Sequence, residues 1–336
     1  MSSLQLDIQQ YKNLLLKYIQ TKDEAILYQA EQFSKSSIKN NISPDEIVNI
    51  HYQALLELMP MIDENIKSSF NFLIETMIAY GLAHQEYQVL REKQIELRSE
   101  IEIAANMQNT LLRTTIPNTP SLDIGTKTVA AKIMNGDYYH FVQDDEQNIG
   151  VAIADVSGKG IPAAFCMSMI KYAMESFPSN RMYPNHILEM LNRIVNRNVE
   201  PGMFVTMFYG LYDVQQNKFY YSSAGHEPCL VYRSQTDQFE ELEAKGILLG
   251  VTDDVKYKQY VANIELGDFI VLLTDGVTEC RRGDEFITRD EVLKVIREYI
   301  HLNAKDLVEN VFKYFERFQD FNLNDDFTMI IIKRID

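Results

Sequence analysis

At 336 residues, with 46% hydrophobic and 24% charged residues, the chain has the composition of an ordinary folded protein with room for two domains. A formal charge of −16 argues against a general nucleic-acid binder, which needs clustered Lys and Arg to release counterions; the acid excess reads as solubility, with metal ligation of part of it the alternative, and composition does not choose between them. Cys166, Cys229 and Cys280 stand far apart without CxxC spacing, which speaks against a disulfide framework or a zinc site and for a reducing compartment.

The opening residues MSSLQLDIQQYKN carry no basic stretch leading into an apolar one, and no apolar run approaches the roughly 18 residues of a membrane span. The expected location is therefore cytoplasmic. Residues 1 to about 115 read as helical. Tyr11, Leu14, Leu15, Tyr18 and Ile19 follow the three-four spacing of one buried helix face, and Phe70, Leu73, Ile74, Met77 and Ile78 repeat it. Between them Ser43-Pro44-Asp45-Glu46 is a helix start, with a capping serine, a first-turn proline and a capping-box glutamate. Pro60 ends that helix and Asp63 can cap the next. The expectation is a four-helix domain over 1–84 with no catalytic constellation, suited to binding a partner.

His84 to Arg113 contains neither Pro nor Gly and reads as one long linker helix over 85–115. Leu90, Leu97, Ala104 and Leu111 recur every seven residues, and Tyr87, Gln94, Ile101 and Gln108 fill the offset positions. Such a seam suits a parallel coiled coil, hence a homodimer; the other reading is a helix packed on its own domain. Ile116-Pro117-Asn118-Thr119-Pro120 ends it. Beyond Pro120, over 120–336, β-branched runs at 151–155, 203–212, 218–224, 268–275 and 327–335 alternate with amphipathic helices near 160–176, 184–198, 290–301 and 304–319. Thr288 with Glu291 and Asn303 with Asp306 are the caps of two of these helices. This texture predicts a layered α+β domain rather than a doubly wound parallel sheet.

Several aspartates share one context, at the end of an apolar strand or in the turn beside it: Asp137, Asp155, Asp275, and the pair Asp325 and Asp326. Any one of them alone reads as a turn residue. Together they place carboxylates where burial is costly unless a divalent cation gathers them, and hard ions such as Mg²⁺ and Mn²⁺ favour oxygen ligands. Two such ions can activate water and hold a phosphoryl oxygen.

Asn135-Gly136-Asp137-Tyr138-Tyr139, Ala154-Asp155-Val156-Ser157-Gly158-Lys159-Gly160, Thr274-Asp275-Gly276-Val277-Thr278-Glu279 and Asp325-Asp326-Phe327-Thr328 occur in an order that resembles the PPM (PP2C-like) serine/threonine phosphatases of the SpoIIE branch. The resemblance covers roughly 120–335, and the N-terminal helices and linker are similar to those of stress-response members of the branch. It implies an αββα sandwich with two Mn²⁺ or Mg²⁺ ions. It further implies that Asp155 bridges them, that the Val156 carbonyl helps hold one, and that Asp275 and Asp325 complete the set, with Asp137 at the second ion or its water shell. Asp325 is preferred to Asp326 by motif alignment, and period-two alternation sends the two neighbours to opposite sides.

His140 stands where many relatives carry an acid and is expected to be a surface or supporting histidine. His226, in SSAGHEPCLVY, is expected to be structural before it is a substrate contact. Ser157-Gly158-Lys159-Gly160 lacks the spacing of a nucleotide loop, and a CxxxxxR thiol-phosphatase loop is missing. The implied chemistry is direct hydrolysis, without a phosphoenzyme, of phosphoserine or phosphothreonine on a STAS-type anti-sigma-factor antagonist. A switch protein acting on the N-terminal helices is the implied activator. The alternatives are another metal-dependent phosphohydrolase and a non-catalytic signalling scaffold.

Overall fold

The computed structural model describes residues 3–39, 42–158, 160–177, 183–200, 202–282 and 285–336. The chain divides into two compact units, Met1–Ser99 and Glu100–Asp336.

The first unit is helical, with α1 (Ser3–Thr21), α2 (Glu24–Lys39), α3 (Pro44–Leu58) and the first part of α4 (Glu64–Leu111). Its core gathers Ile26, Phe33, Ile50, Tyr52 and Ala54. Tyr11 sits 5.3 Å from the Phe33 ring and bonds His51 Nδ1 at 2.9 Å, while Tyr52 stacks on Phe70. Pro44 opens α3 as its sequence predicts, and the Glu46 carboxylate accepts the Ser43 N–H at 3.1 Å. The Asp63 carboxylate likewise accepts the Asn65 N–H at 2.8 Å. One feature departs from the sequence reading. The predicted fourth helix and the linker are a single 48-residue helix, which runs through Gly81 without interruption. Long as it is, no helix among the described residues is apolar enough to cross a membrane.

The second unit begins with the last turns of α4 and continues through β1 (Leu122–Val129), β2 (Asp137–Gln143), β3 (Ile149–Val156), α5 (Ile161–Glu175), α6 (Pro184–Asn198), β4 (Val205–Asp213), β5 (Lys218–Ala224), β6 (Cys229–Arg233), β7 (Gln238–Leu242), β8 (Tyr260–Asn263) and β9 (Phe269–Leu273). It ends with α7 (Asp275–Thr278), the short ladder β10 (Arg281–Arg282) and β11 (Glu285–Phe286), α8 (Arg289–Glu298), α9 (Ala304–Phe318) and β12 (Phe327–Arg334). Two five-stranded antiparallel sheets form, ordered β1-β12-β9-β6-β7 and β2-β3-β4-β5-β8.

Ile149, Val151, Ile153, Phe208, Phe219, Ile270, Leu272, Ile330 and Ile332 fill the space between the sheets. The alternate residues of the same strands face outwards. Ala152, Ala154, Met207 and Tyr209 pack under α5 and α6, and Val271, Leu273, Met329 and Ile331 under α8 and α9. A strand whose two faces are both covered shows little polar alternation, and these runs are indeed almost continuously apolar. The result is the αββα sandwich expected for this part of the chain. Two predicted caps form: Thr288 Oγ1 accepts the Glu291 N–H, and Asn303 Oδ1 accepts the Asp306 N–H at 2.8 Å.

Candidate active site

The ends of both sheets meet where the aspartates lie. Asp137 opens β2 and stands directly opposite Asp155 near the end of β3, so pairing alone puts two carboxyl groups side by side. Asp137 is 4% exposed. Thr274, at the end of β9 in the other sheet, donates its hydroxyl to Asp137 Oδ2 at 2.7 Å and accepts the Thr328 N–H at 3.1 Å. One threonine thus ties the sheets together behind the site. Burial pushes the Asp137 carboxyl well above the usual carboxylate range, and the Asp155 and Asp326 charges push the same way against the Thr274 and Thr328 hydrogen bonds.

The turn before Asp137 is held from three directions. Asn135 Oδ1 accepts the Asp137 N–H at 2.9 Å, and Asp326 Oδ2 accepts the Gly136 N–H at 2.5 Å. The buried amide of Gln108, near the end of α4, forms a two-way pair with the Asn135 backbone: Nε2 donates to its carbonyl at 2.8 Å and Oε1 accepts its N–H at 3.1 Å. Val156 is buried, and its N–H donates to the Gly136 carbonyl at 3.2 Å.

Asp275 is not the last residue of a strand but the first of α7, with Thr274 as N-cap, a position that favours negative charge. A methyl group on Gly276 would lie 1.9 Å from the Asp326 carbonyl oxygen, so only glycine lets α7 approach the Asp325-Asp326 backbone this closely. The neighbouring aspartates differ sharply. Asp326 is buried, and both its oxygens accept backbone N–H groups, from Ala131 at 2.7 Å and from Gly136. Asp325 is half-buried, and its Oδ1 accepts the Asp326 N–H at 2.9 Å.

Asp137, Asp155 and Asp326 are therefore brought together, with Asp275 and Asp325 joined to them through Gly276. Among the described residues no three His, Cys, Asp or Glu side chains stand close enough to hold an ion in their present positions. The donor chemistry nevertheless fits a hard divalent cation. All the converging side chains are carboxylates, and Asp155 Oδ1 and Asp326 Oδ2 lie 3.5 and 3.0 Å from the Cβ position of Gly136.

His226 bridges the sheets: Nε2 donates to the Leu273 carbonyl at 3.2 Å, which leaves Nδ1 to accept from the Thr206 hydroxyl at 2.9 Å. Burial pushes its pKa down to about 4. His140 is no surface residue. It is 4% exposed beside Tyr138, with Nε2 3.9 Å from Glu175, because β2 turns that side chain under α5. Lys159 lies outside the described residues. Sequence reasoning quoted Thr274 only as part of a motif and missed its role, as it missed that of Gln108, placed at an offset position of a coiled-coil seam; Gln108 instead faces its own unit, 3% exposed.

The family model described as "Stage II sporulation protein E (SpoIIE)" matches residues 145–335, and that described as "Phosphoserine phosphatase RsbU, N-terminal domain" matches 9–83. The chain is 50% identical over 326 residues to the phosphoserine phosphatase RsbU of Bacillus subtilis (strain 168), covering 97% of each. It belongs to the RsbU family of SpoIIE-type serine/threonine phosphatases. RsbP, another phosphoserine phosphatase of Bacillus subtilis, is 24% identical over 189 residues, covering 55% of this chain and 46% of RsbP. Two solved structures support the fold. The SiaA-PP2C domain of Pseudomonas aeruginosa has a TM-score of 0.60 at 16% identity, covering 72% of this chain and 98% of its own. The PP2C phosphatase domain of SpoIIE from Bacillus subtilis, with a fragment of its regulatory domain, has a TM-score of 0.56 at 14% identity, covering 81% and 99%. Membership of the RsbU family and the PP2C fold thus agree with the motif order.

Proposed function

We propose that this member of the RsbU family uses Mn²⁺ or Mg²⁺, two ions, to hydrolyse phosphoserine or phosphothreonine on a STAS-domain (RsbV-like) anti-sigma-factor antagonist, as a positive regulator of the general stress response in the cytoplasm. The observation that carries the chemistry is the cross-strand pairing of Asp137 with Asp155 at the meeting of two sheets. Asp155, the Val156 carbonyl, Asp275 and Asp325 would hold the ions, and Asp137 would serve the second ion or its water shell. When bound, the ions supply Lewis-acid activation of water and neutralise charge on the phosphoryl oxygens. The chain's own contribution is placement. Thr274 fixes Asp137, Asp326 and Gln108 fix the turn before it, and Gly276 lets the Asp275 and Asp325 segments touch.

Thiol chemistry is disfavoured on independent grounds. All three cysteines are buried, with burial pushing Cys166 up to about 11 and Cys280 to about 12, so none is a ready thiolate.

Regulation follows the division 1–84, 85–115 and 120–336. An RsbT-like activator binds the N-terminal helices, and the linker passes the event on, pairing with a second copy through its exposed Tyr87, Leu90 and Leu97. The activator must favour one arrangement of the site over another to have any effect. The test is dephosphorylation of a phosphorylated STAS partner with and without Mn²⁺, comparing wild type with Asp155→Asn. Activity that needs Mn²⁺ and is lost in the variant supports the reading; metal-independent turnover overturns it. Deleting 1–84 is expected to leave a folded enzyme deaf to the activator, and a truncated enzyme that still responds would refute the sensor assignment.

A further inference from the structure

We propose that Gln319 is a positioning residue: its side-chain amide clamps the segment leaving Asp275 to the segment entering Asp325, and so sets how tightly the site takes a divalent cation. This rests on the metal-site reading above.

Gln319 follows α9 and is 6% exposed. Its Nε2 donates to Cys280 Sγ at 3.0 Å, and its Oε1 accepts two N–H groups of Asn324, one from the backbone at 3.1 Å and one from the side chain at 2.9 Å. Each partner leads directly to one carboxylate. Cys280 ends the stretch that begins at Asp275, and its thiol donates to the Gly276 carbonyl at 3.2 Å. Asn324 immediately precedes Asp325, and its amide also donates to the Arg281 carbonyl at 3.1 Å. One planar amide therefore faces both strings at once.

The chemistry needs a glutamine. The carbonyl serves two donors and the NH₂ serves sulfur; a glutamate would lose the donor, and a leucine would leave the Asn324 groups and the thiol without this partner. The chain between the clamp and Asp325 also needs holding. Asp320 and Phe321 are consecutive non-glycine residues with φ of 50° and 63°, a conformation that persists only when its surroundings impose it. Relaxation of this turn would move Asn324, and Asp325 with it, away from α7.

The experiment measures Mn²⁺ binding to the full-length protein without substrate, from the electron paramagnetic resonance signal of free Mn²⁺, alongside turnover of a chromogenic phosphate ester. Loss of a group that orients metal ligands commonly weakens binding by about 10–100-fold. Gln319→Ala is expected to weaken Mn²⁺ binding about 10-fold, with turnover largely regained at saturating Mn²⁺. Cys280→Val, which removes only the sulfur arm, shifts binding the same way by less, and reports alone if Gln319→Ala does not fold. Val308→Ala, on the buried face of α9, is the control: it lowers the melting temperature without moving the Mn²⁺ constant. Unchanged Mn²⁺ binding in both clamp variants overturns the inference, as does an equal loss in Val308→Ala. Wild-type protein that binds no Mn²⁺ overturns the metal-site reading and this inference with it.

Discussion

Exchanging one oxygen for nitrogen at Asp325 and at Asp326 tests which of the two serves an ion and which holds the fold. Asp326 is buried and spends both oxygens on backbone N–H groups of Ala131 and Gly136. Asp326→Asn turns one acceptor into a donor facing an N–H, which removes a charge-assisted hydrogen bond and leaves a buried donor unsatisfied. At ~1.5–3 kcal/mol for the bond, plus part of the desolvation of the orphaned group, the expected loss is about 2–4 kcal/mol. For a unit of this size that lowers the melting temperature by about 4–16 °C. Asp325→Asn keeps the Oδ1 that accepts the Asp326 N–H at 2.9 Å. Mn²⁺ binding should respond the opposite way, with Asp325→Asn losing most of it. Urea and thermal unfolding without metal, followed by Mn²⁺ titration of each variant, decide the matter. An Asp325→Asn protein that binds Mn²⁺ normally, beside an Asp326→Asn protein of unchanged stability, would refute the division of labour.

Three further outcomes follow. Gly276→Ala would place a methyl 1.9 Å from the Asp326 carbonyl, so α7 must shift; a stability loss above about 2 kcal/mol is expected, and a normal melting curve would show that the close approach is not required. Thr274→Val removes the hydroxyl linking Asp137 to the far sheet and should cost about 1–3 kcal/mol and most of the turnover, whereas Thr274→Ser should retain both, as unfolding and phosphate release would reveal. His140 has its pKa pushed down to about 4, chiefly by burial and also by Lys171, against the pull of Glu175. Because the folded value lies below the unfolded one near 6.5, the unfolded chain binds the extra proton between them, so stability falls as pH drops from about 6.5 to 4 by up to ~3 kcal/mol. His140→Gln should flatten that slope, and an unchanged pH dependence of urea unfolding would contradict it.

Much of this fold was readable before any coordinates. Both β5 and α6 fall where apolar periodicity put them, and the caps at Thr288 and Asn303 form. What escaped has physical causes. β1 and β7 are rich in polar residues, as edge strands are, and so lack the apolar signal that marks the central ones. No break appears near Gly81, since a single glycine costs a helix only ~1 kcal/mol against alanine. At the site, the strand-end aspartates were visible because carboxylates beside apolar runs are conspicuous. Thr274, Gln108 and Gln319 were not, because their work depends on which distant segment lies opposite, and spacing along the chain carries no trace of that.

Gln108 ties the end of α4 to the turn before Asp137, so that turn should follow a small movement of the helix end. Asp137 and Asp155 are fixed to each other by strand register, whereas Asp137 and Thr274 belong to different sheets and meet through one hydroxyl. The turn before Asp137 depends on distant segments, on Asp326 through the Gly136 N–H and on α4 through the amide of Gln108. Rotating the end of α4 by a fraction of a turn would break both arms of the Gln108 pair together, since a two-way amide bond tolerates little misalignment. Gln108→Glu isolates this contact. It keeps the acceptor for the Asn135 N–H but sets a carboxylate oxygen against the Asn135 carbonyl. Mn²⁺ affinity should fall while the linker helix stays intact by circular dichroism, and an unaltered affinity would place the controlling contact elsewhere.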